Sequence, residues 1–432
     1  MNICWVSPLD PELTEIARYS VQILPFVEKY MGVSAVHDGD GAAPGWWDKR
    51  QEESAAEEGV APLPIYHIGN NSLHLPVYRQ ALLEPGLVVL HDVSLVDLAK
   101  TLSRESDYPE LWNWQMREQY GDDVDDLVIS SENSVASHNE MVSSYPLFQP
   151  FVDNALGVVV HSRYAQNALL RNLPAGTLVK QLNLPAPAPP AIANRDYSAR
   201  PLRFVFCGHL GPNRRLLEFF EAWGRLDSPG RINLELFGNI RNNRQLVQCA
   251  EQFGVADYLH FRGYVAEREL EKALHDAHFA INLRWPTMGE ASASQLRYWS
   301  AALPTLVTDV GWYGELPDGA VCKVAPEREI DDIHALLEDA LASPEKYRQV
   351  GQRGWEYLRS QHSAETYARE LASFAEELCN RRLAYRALDQ ELVDIIGSMC
   401  ADGTDTALFR DAVETAAATF TPTVVDRKEI GL

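Results

Sequence analysis

The sequence predicts an α/β protein made of two Rossmann-like, doubly wound parallel-sheet domains with a C-terminal helical extension. Short apolar runs alternate with stretches of helical periodicity, the pattern of βα units and therefore of a parallel sheet. The series occurs once before residue 185 and again after residue 200, with a block of prolines between. A chain of 432 residues also exceeds the length over which one hydrophobic core keeps growing. The expected division is a domain at 1–184, a linker at 185–200, a domain at 201–362 and C-terminal helices over 363–432.

Asn2 to Val6 is an apolar run ending at Ser7-Pro8, and Leu13 to Tyr30 carries Ile16, Tyr19, Ile23, Leu24 and Val27 at helical spacing. These read as a first strand and its helix. Gly39 to Gly59, rich in Gly, Pro and Glu, reads as a solvated loop. Ile65 to Gly69 and Leu87 to Leu90 are further strands, the second opening onto His91-Asp92. The acidic, Ser-rich stretch from Asp122 to Ser137 is either a helix with a polar face or a mobile segment. Leu156 to Val160 is a strand that ends in the turn His161-Ser162. Pro185, Pro187, Pro189 and Pro190 then break any regular element, as a linker would.

The second series comprises Leu202 to Cys207, Ile232 to Phe237, Leu259 to Phe261, Phe279 to Leu283, Thr305 to Thr308 and Ala320 to Val324. From Ile330 to Cys379 the pattern is helical, with Ser363 as an N-cap and Glu365 in the first turn behind it. From Asn380 an amphipathic helical extension follows, with a break near Asp402-Gly403.

The net charge of -23 and the pI near 4.9 repel phosphate backbones and anionic lipid, which argues against nucleic acid and against a basic membrane anchor. No run approaches the roughly 18 apolar residues of a membrane span, and the N-terminus lacks a basic segment followed by an apolar one. A cytoplasmic protein is expected. Cys4, Cys207, Cys249, Cys322, Cys379 and Cys400 are scattered, without the spacing of disulfides or zinc ligands. Neither histidines nor carboxylates show a ligand spacing, so no metal is expected.

The stretch Asn282 to Pro317 reads as one strand, turn, helix, strand unit. Its polar turn carries Arg284, Gly289 and Glu290. Ligands of open parallel sheets sit outside the carboxyl ends of the strands, where turns and helix N-termini offer N–H groups to anions. Small residues at Gly289, Ala291, Ser292, Ala293 and Ser294 would let a phosphate approach the backbone; the alternative is a tight turn that closes the core. The turn FCGHLGPNRR, with Gly208, His209, Arg214 and Arg215, follows a strand and precedes the helix Leu216 to Trp223. Paired arginines in a Gly-containing turn suit a diphosphate, and an arginine at a helix start needs compensating negative charge. His91-Asp92 at a strand end can hydrogen-bond a sugar or orient a proton, or it is a capping pair. YHIGNNSLH places His67, Asn70 and Asn71 around a glycine, letters that suit a hydroxyl-rich ligand or an ordinary turn.

Together with PTLVTDVGWYGELP, VVLHD and VVVHSRYA, these motifs resemble the retaining, sugar-nucleotide-dependent glycosyltransferases of the GT-B fold, of the group 1 or family 4 type that builds bacterial polysaccharides. The resemblance spans about residues 1 to 380. It implies two domains facing a cleft, with the sugar nucleotide on the C-terminal domain, the acceptor on the N-terminal one, and the last helices crossing back to the first domain. It implies that Arg214 or Arg215 meets the donor diphosphate, that Glu290 stands near the sugar hydroxyls and that His91 approaches the transferred sugar. On this reading Gly208, His209, Arg284, Gly289, Ala291, Ser292 and Arg297 line the donor side, and His67, Asn70, Asn71 and Asp92 the acceptor or sugar side. Loss of Arg215 would abolish transfer and leave the fold intact. The co-substrate would be a sugar nucleotide with no cofactor or metal, and the acceptor a glycan, a lipid-linked glycan or a protein. The C-terminal extension offers a surface for homo- or hetero-oligomers.

Two positions depart from the family pattern. The second glutamate of its Glu-x7-Glu motif falls on Arg297 counting back from Pro304, or on Tyr298 counting on from Glu290. Glu15 stands where a glycine would admit a diphosphate. The alternative is a catalytically weakened GT-B-like binding or scaffold subunit of a glycosylation complex. A GT-B epimerase or phosphorylase is a weaker match, since nothing suggests a cofactor lysine.

Overall fold

The computed structural model describes residues 1–9, 15–40, 62–106, 110–131, 134–192, 194–238 and 244–381. Most of the loop expected from Gly39 to Gly59, and the extension after residue 381 with its break at Asp402-Gly403, lie outside the described residues. The chain divides into two compact units. One holds Met1–Val160, Gln166–Leu182 and the chain from Ala368; the other holds His161–Ala165 and Asn183–Tyr367.

The first unit is built on a parallel sheet of β1 (Asn2–Val6), β2 (Gly32–His37), β3 (Leu63–Ile68), β4 (Leu87–Leu90), β5 (Gly157–Val160) and β6 (Val179–Gln181), in the order β2-β1-β3-β4-β5-β6. β3, β4 and β5 are buried at every residue, as strands covered on both faces must be. β2 and β6 escape the apolar-run criterion because they are edge strands. GVSAVH and VKQ are only partly covered and need no continuous apolar face. The stretch Asp122 to Ser137 is helical in two pieces, Asp125–Ser131 and the start of Val135–Ser144, where Ser134 Oγ accepts the Ser137 N–H. Residues 364–381 are helical. Ser363 caps this helix by accepting the Thr366 N–H at 3.3 Å. Its Phe374 and Leu378 lie so near Gly157 that a Cβ there would sit 3.0 and 2.9 Å from them.

The second unit repeats the plan with β7 (Leu202–Cys207), β8 (Ile232–Phe237), β9 (Leu259–Gly263), β10 (Phe279–Asn282), β11 (Thr305–Thr308) and β12 (Cys322–Val324), in the order β12-β11-β10-β7-β8-β9. All its pairings are parallel. Its core is aromatic, with Phe204 stacked on Phe279 and Trp223 packed against Phe219 and Phe220.

The proline-rich segment is fastened to this second unit along its length. Its Leu184 carbonyl accepts from His362 Nδ1 at 2.7 Å, and its Asp196 carbonyl from His278 Nε2 at 3.0 Å. Arg195, 7% exposed, donates to the carbonyls of Leu274, His275, Ala301 and Ala302 at 3.0–3.3 Å. These are the unmatched carbonyls at the ends of two helices, Glu267–Asp276 and Ala293–Ser300, so one cation satisfies and neutralises both C-termini.

Burial lowers the pKa of His278 and of His362 from 6.5 to about 4. Both are neutral in the fold, whereas the unfolded chain protonates them below pH 6.5. Their contribution is therefore intact above pH 6.5 and is lost as pH falls toward 4, at up to about 1.4 kcal/mol per pH unit for each. In urea unfolding followed by tryptophan fluorescence, His278→Gln and His362→Gln should each flatten the decline between pH 6.5 and 4 relative to the unsubstituted protein.

Candidate functional site

In the second unit the chain moves outward from β7 through β8 and β9, then returns to place β10 on the other side of β7. The carboxyl edge between β7 and β10 is therefore the switch point of the sheet, the place where ligands of such sheets bind. After β7 comes Gly208, at φ 142°; a Cβ on the neighbouring Gly238 would stand 2.1 Å from the Gly208 carbonyl, so the two loops touch backbone to backbone. His209 is exposed. Pro212–Arg214 forms a tight turn, and Arg215, in the left-handed region at φ 57°, begins the Leu216–Gly224 helix.

Here the structure separates the two arginines that the sequence left equivalent. Arg215 Nε donates to Glu329 Oε2 at 2.7 Å, and its Nη1 lies 2.8 Å from Glu218 Oε1. The Glu329 side chain is 3% exposed; burial raises its pKa, and Arg215 works against that rise. The compensation that an arginine at a helix start requires comes from two protein carboxylates, Glu329 and Glu218. Arg214 is different. Its Nε and Nη1 are shielded from solvent and have no hydrogen-bond partner. A cation with enclosed, unanswered donors can receive an anion.

The loop after β10 is tied to the same turn, since the Trp285 N–H donates to the Asn213 carbonyl at 2.9 Å. Arg284 is buried and donates through Nε to Glu290 Oε1 at 2.9 Å, while its N–H meets Thr308 Oγ1. Glu290 Oε2 accepts from Thr287 Oγ1 at 3.0 Å and from the Met288 N–H at 2.9 Å. Both carboxylate oxygens thus close the loop upon itself, with Gly289 at φ 79° making the bend. Ser292 caps the Ala293–Ser300 helix by accepting the Gln295 N–H, and Asn282 Nδ2 donates to Ser292 Oγ. Ala291 precedes that cap. Ser294 Oγ donates to the Cys207 carbonyl at 3.0 Å and would lie 3.7 Å from a Cβ on Gly208, so the helix start stands beside the end of β7. Gly208, Arg214, Arg284, Gly289, Glu290, Ala291 and Ser292 are thereby assembled on two joined loops.

Arg297 leaves this group. It pairs with Glu267, at the start of the Glu267–Asp276 helix, at 2.8 Å. Tyr298, the other position for a second carboxylate, is a core residue whose hydroxyl accepts the Cys207 N–H at 2.7 Å.

In the first unit the strand order reverses between β1 and β3. At the ends of β3 and β4, His67 Nδ1 and His91 Nε2 are 3.1 Å apart. Asp92 Oδ2 accepts the Asn70 N–H at 2.7 Å. The Asn70 side chain accepts from the Asp97 and Leu98 N–H groups, so it caps the Val96–Glu105 helix from outside that helix, and Asn71 caps the short Ser72–His74 turn. Both asparagines, expected to meet a ligand, have side chains engaged in capping. Glu15 is the first residue of the Glu15–Val27 helix, a position favourable to a carboxylate in the helix field. Among the described residues no three His, Cys, Asp or Glu side chains form a group that could hold a metal ion, and no helix is long and apolar enough to cross a membrane.

Residues that the sequence did not single out matter as much. Glu329, Glu218 and Thr308 hold the arginines, and Trp5, Tyr19 and His74 surround His67. Trp5, Tyr19 and Glu329 lie far from the motifs they serve, whereas Glu218, His74 and Thr308 are in or beside them without being marked as partners; Glu329 carries a signal of its own, as an acid beginning a helix after a strand.

No protein-family model matches the sequence and no curated protein matches it. Among solved structures the chain is similar to sucrose-phosphate synthase from Thermosynechococcus elongatus, at TM-score 0.58 and 12% identity over 88% of this chain and 100% of that one. It is also similar to HepE from Anabaena in complex with UDP-glucose, at TM-score 0.55 and 10% identity over 87% and 99%. A third is the lipopolysaccharide outer core galactosyltransferase WaaB in its apo form, at TM-score 0.53 and 11% identity over 87% and 100%. The two parallel sheets of six strands, each with its helices, are those of the GT-B fold.

The two arginines should separate in stability measurements. Arg215→Ala strands Glu329 in the interior and should cost on the order of 3 kcal/mol in chemical denaturation. Arg214→Ala removes unanswered donors and should be neutral or stabilising. Asn70→Ala should cost about 1 kcal/mol through the lost helix cap.

Proposed function

We propose that this protein is a glycosyltransferase that moves a sugar from a sugar nucleotide to a glycan, lipid-linked or protein acceptor in the cytoplasm, with retention of anomeric configuration and without a metal ion. The observation that carries the reading is Arg214, whose enclosed donors sit on the turn that joins the Arg284–Glu290 loop beside the start of the Ala293–Ser300 helix. A diphosphate bound there would receive a guanidinium and the first N–H groups of a helix together. Solved structures of the same fold support the reading, one of them in complex with UDP-glucose.

The chemistry asked of these residues is the stabilisation of a leaving group. As the bond from anomeric carbon to phosphate oxygen breaks, negative charge collects on the diphosphate, and Arg214 meets it with preorganised charge. Same-face attack by the acceptor hydroxyl lets the departing phosphate oxygen take the hydroxyl proton, so no protein nucleophile is required. Arg284 and Glu290 act by keeping their own loop closed. Water excluded from the site would otherwise compete with the acceptor.

Calorimetry with UDP-, GDP- and ADP-sugars tests this directly. Arg214→Ala should weaken binding of the preferred sugar nucleotide by roughly 30- to 100-fold, as for the loss of a charged hydrogen-bonding group. Transfer should fall at least as far. Binding without nucleotide release in the presence of any acceptor would instead mark a binding subunit, and unchanged affinity in Arg214→Ala would remove the assignment of that residue.

A further inference from the structure

Arg214 carries enclosed donors, and among the described residues its guanidinium makes no hydrogen bond or ion pair that would hold it. Where it stands therefore depends on the turn that carries it. That turn is closed by two backbone bonds, from the Arg214 N–H to the Gly211 carbonyl at 3.0 Å and from the Arg215 N–H to the Pro212 carbonyl at 3.2 Å. The next residue is Arg215, whose φ of 57° lies in the left-handed region that side chains disfavour. A strained residue beside an unanswered cation points to a constraint imposed from elsewhere.

The constraint is Glu329. This carboxylate, 4% exposed at the start of the Glu329–Ala342 helix, serves the two loops of the site with different oxygens. Its Oε2 accepts from Arg215 Nε at 2.7 Å and so holds the residue that follows Arg214. Its Oε1 accepts from Thr308 Oγ1 at 3.5 Å, and the same hydroxyl accepts the Arg284 N–H at 2.9 Å. A hydroxyl whose lone pair has taken an N–H has its own proton left to give, here to the carboxylate. The loop after β7 and the loop after β10 are thus registered on one buried group, and the bond from the Trp285 N–H to the Asn213 carbonyl joins them a second time.

A buried ion pair is a poor means of stabilising a fold, since apolar side chains of similar volume often do as well or better. What it supplies here is fixed geometry. We propose that Glu329 is a positioning residue for Arg214: through Arg215 on one side and Thr308 on the other, it holds both loops in the register that presents Arg214 to an anionic ligand, a nucleoside diphosphate. The ligand part of this inference rests on the transferase reading, while the register of the loops does not.

Charge and positioning act here with opposite signs. Removing a buried negative charge beside an anion site by itself tightens binding of the anion, whereas loosening the loops weakens it. Glu329→Gln keeps the volume of the side chain and removes its charge. Calorimetry on the full chain with UDP, GDP and ADP should show the preferred nucleoside diphosphate bound about 10-fold more weakly, the scale of losing a partner behind a charged site. In an Arg215→Gly background, where glycine adopts φ 57° unaided and no guanidinium reaches Glu329, the same substitution should no longer weaken binding. Amide exchange read by mass spectrometry reports the register without any ligand. In Glu329→Gln, peptides covering residues 208–216 and 283–287 should exchange severalfold faster, with those of Ile232–Phe237 unchanged. Should Glu329→Gln fold poorly, the double variant Arg215→Gly/Glu329→Gln, which strands no charge, should show the same local acceleration. Tighter or unchanged binding in Glu329→Gln, an equal loss in both backgrounds, or exchange that rises uniformly or not at all would overturn the inference. No binding of any nucleoside diphosphate by the unsubstituted protein would defeat the transferase reading, and the exchange data would still decide the register of the loops.

Discussion

Glu329 is a carboxylate in the interior of the second unit, and the electrostatics of the site follow from how it is compensated. A buried ion is tolerated only with a partner in good geometry, and Arg215 Nε at 2.7 Å is that partner. To reach it, Arg215 adopts a left-handed backbone at the start of a helix, with Glu218 answering a second nitrogen. The pairing does two things at once. It anchors the turn after β7 to the helix after β12, and it withdraws one of two adjacent arginines from any ligand. What remains is Arg214, whose Nε and Nη1 are enclosed without a hydrogen-bond partner.

The loop after β10 follows the same economy. Glu290 has both oxygens occupied within its own loop, by Arg284 on one side and by Thr287 and the Met288 N–H on the other. Charged groups that look available in the sequence are therefore divided into those that hold the scaffold and those that are left for chemistry. The first unit shows the same division. Asn70 and Asn71 are spent on helix ends, and the imidazoles of His67 and His91 are turned toward one another. In both units the rigid part of the site is built from side chains that a motif search would assign to the ligand.

The fold was largely legible because apolar runs are a local signal. β1, β4, β7, β8 and β11 match their runs residue for residue. β2 and β6 were not legible, since an edge strand such as VKQ lacks the apolar run that announces a central one. The site was legible as a set of turns and not as a set of partners. Nothing in FCGHLGPNRR says which arginine meets a glutamate 114 positions later, and nothing in YHIGNN says that Asn70 caps a helix that begins at Val96. Pairing is a property of the folded arrangement, and at such separations it leaves no periodicity to read. The proline block is the instructive case, because composition announces the absence of helix and strand but not the histidines and carbonyls that hold the segment down.

That segment also bears on how the molecule can be taken apart. Arg195 serves the ends of two helices that both begin after residue 201, and His278 and His362 reach back to carbonyls at Asp196 and Leu184. A second unit excised at the first residue of β7 would be cut inside its own hydrogen-bonding network. The prolines therefore belong with the second unit, whose continuous stretch begins at Asn183, and a cut that removed them would leave the ends of two of its helices without their common cation.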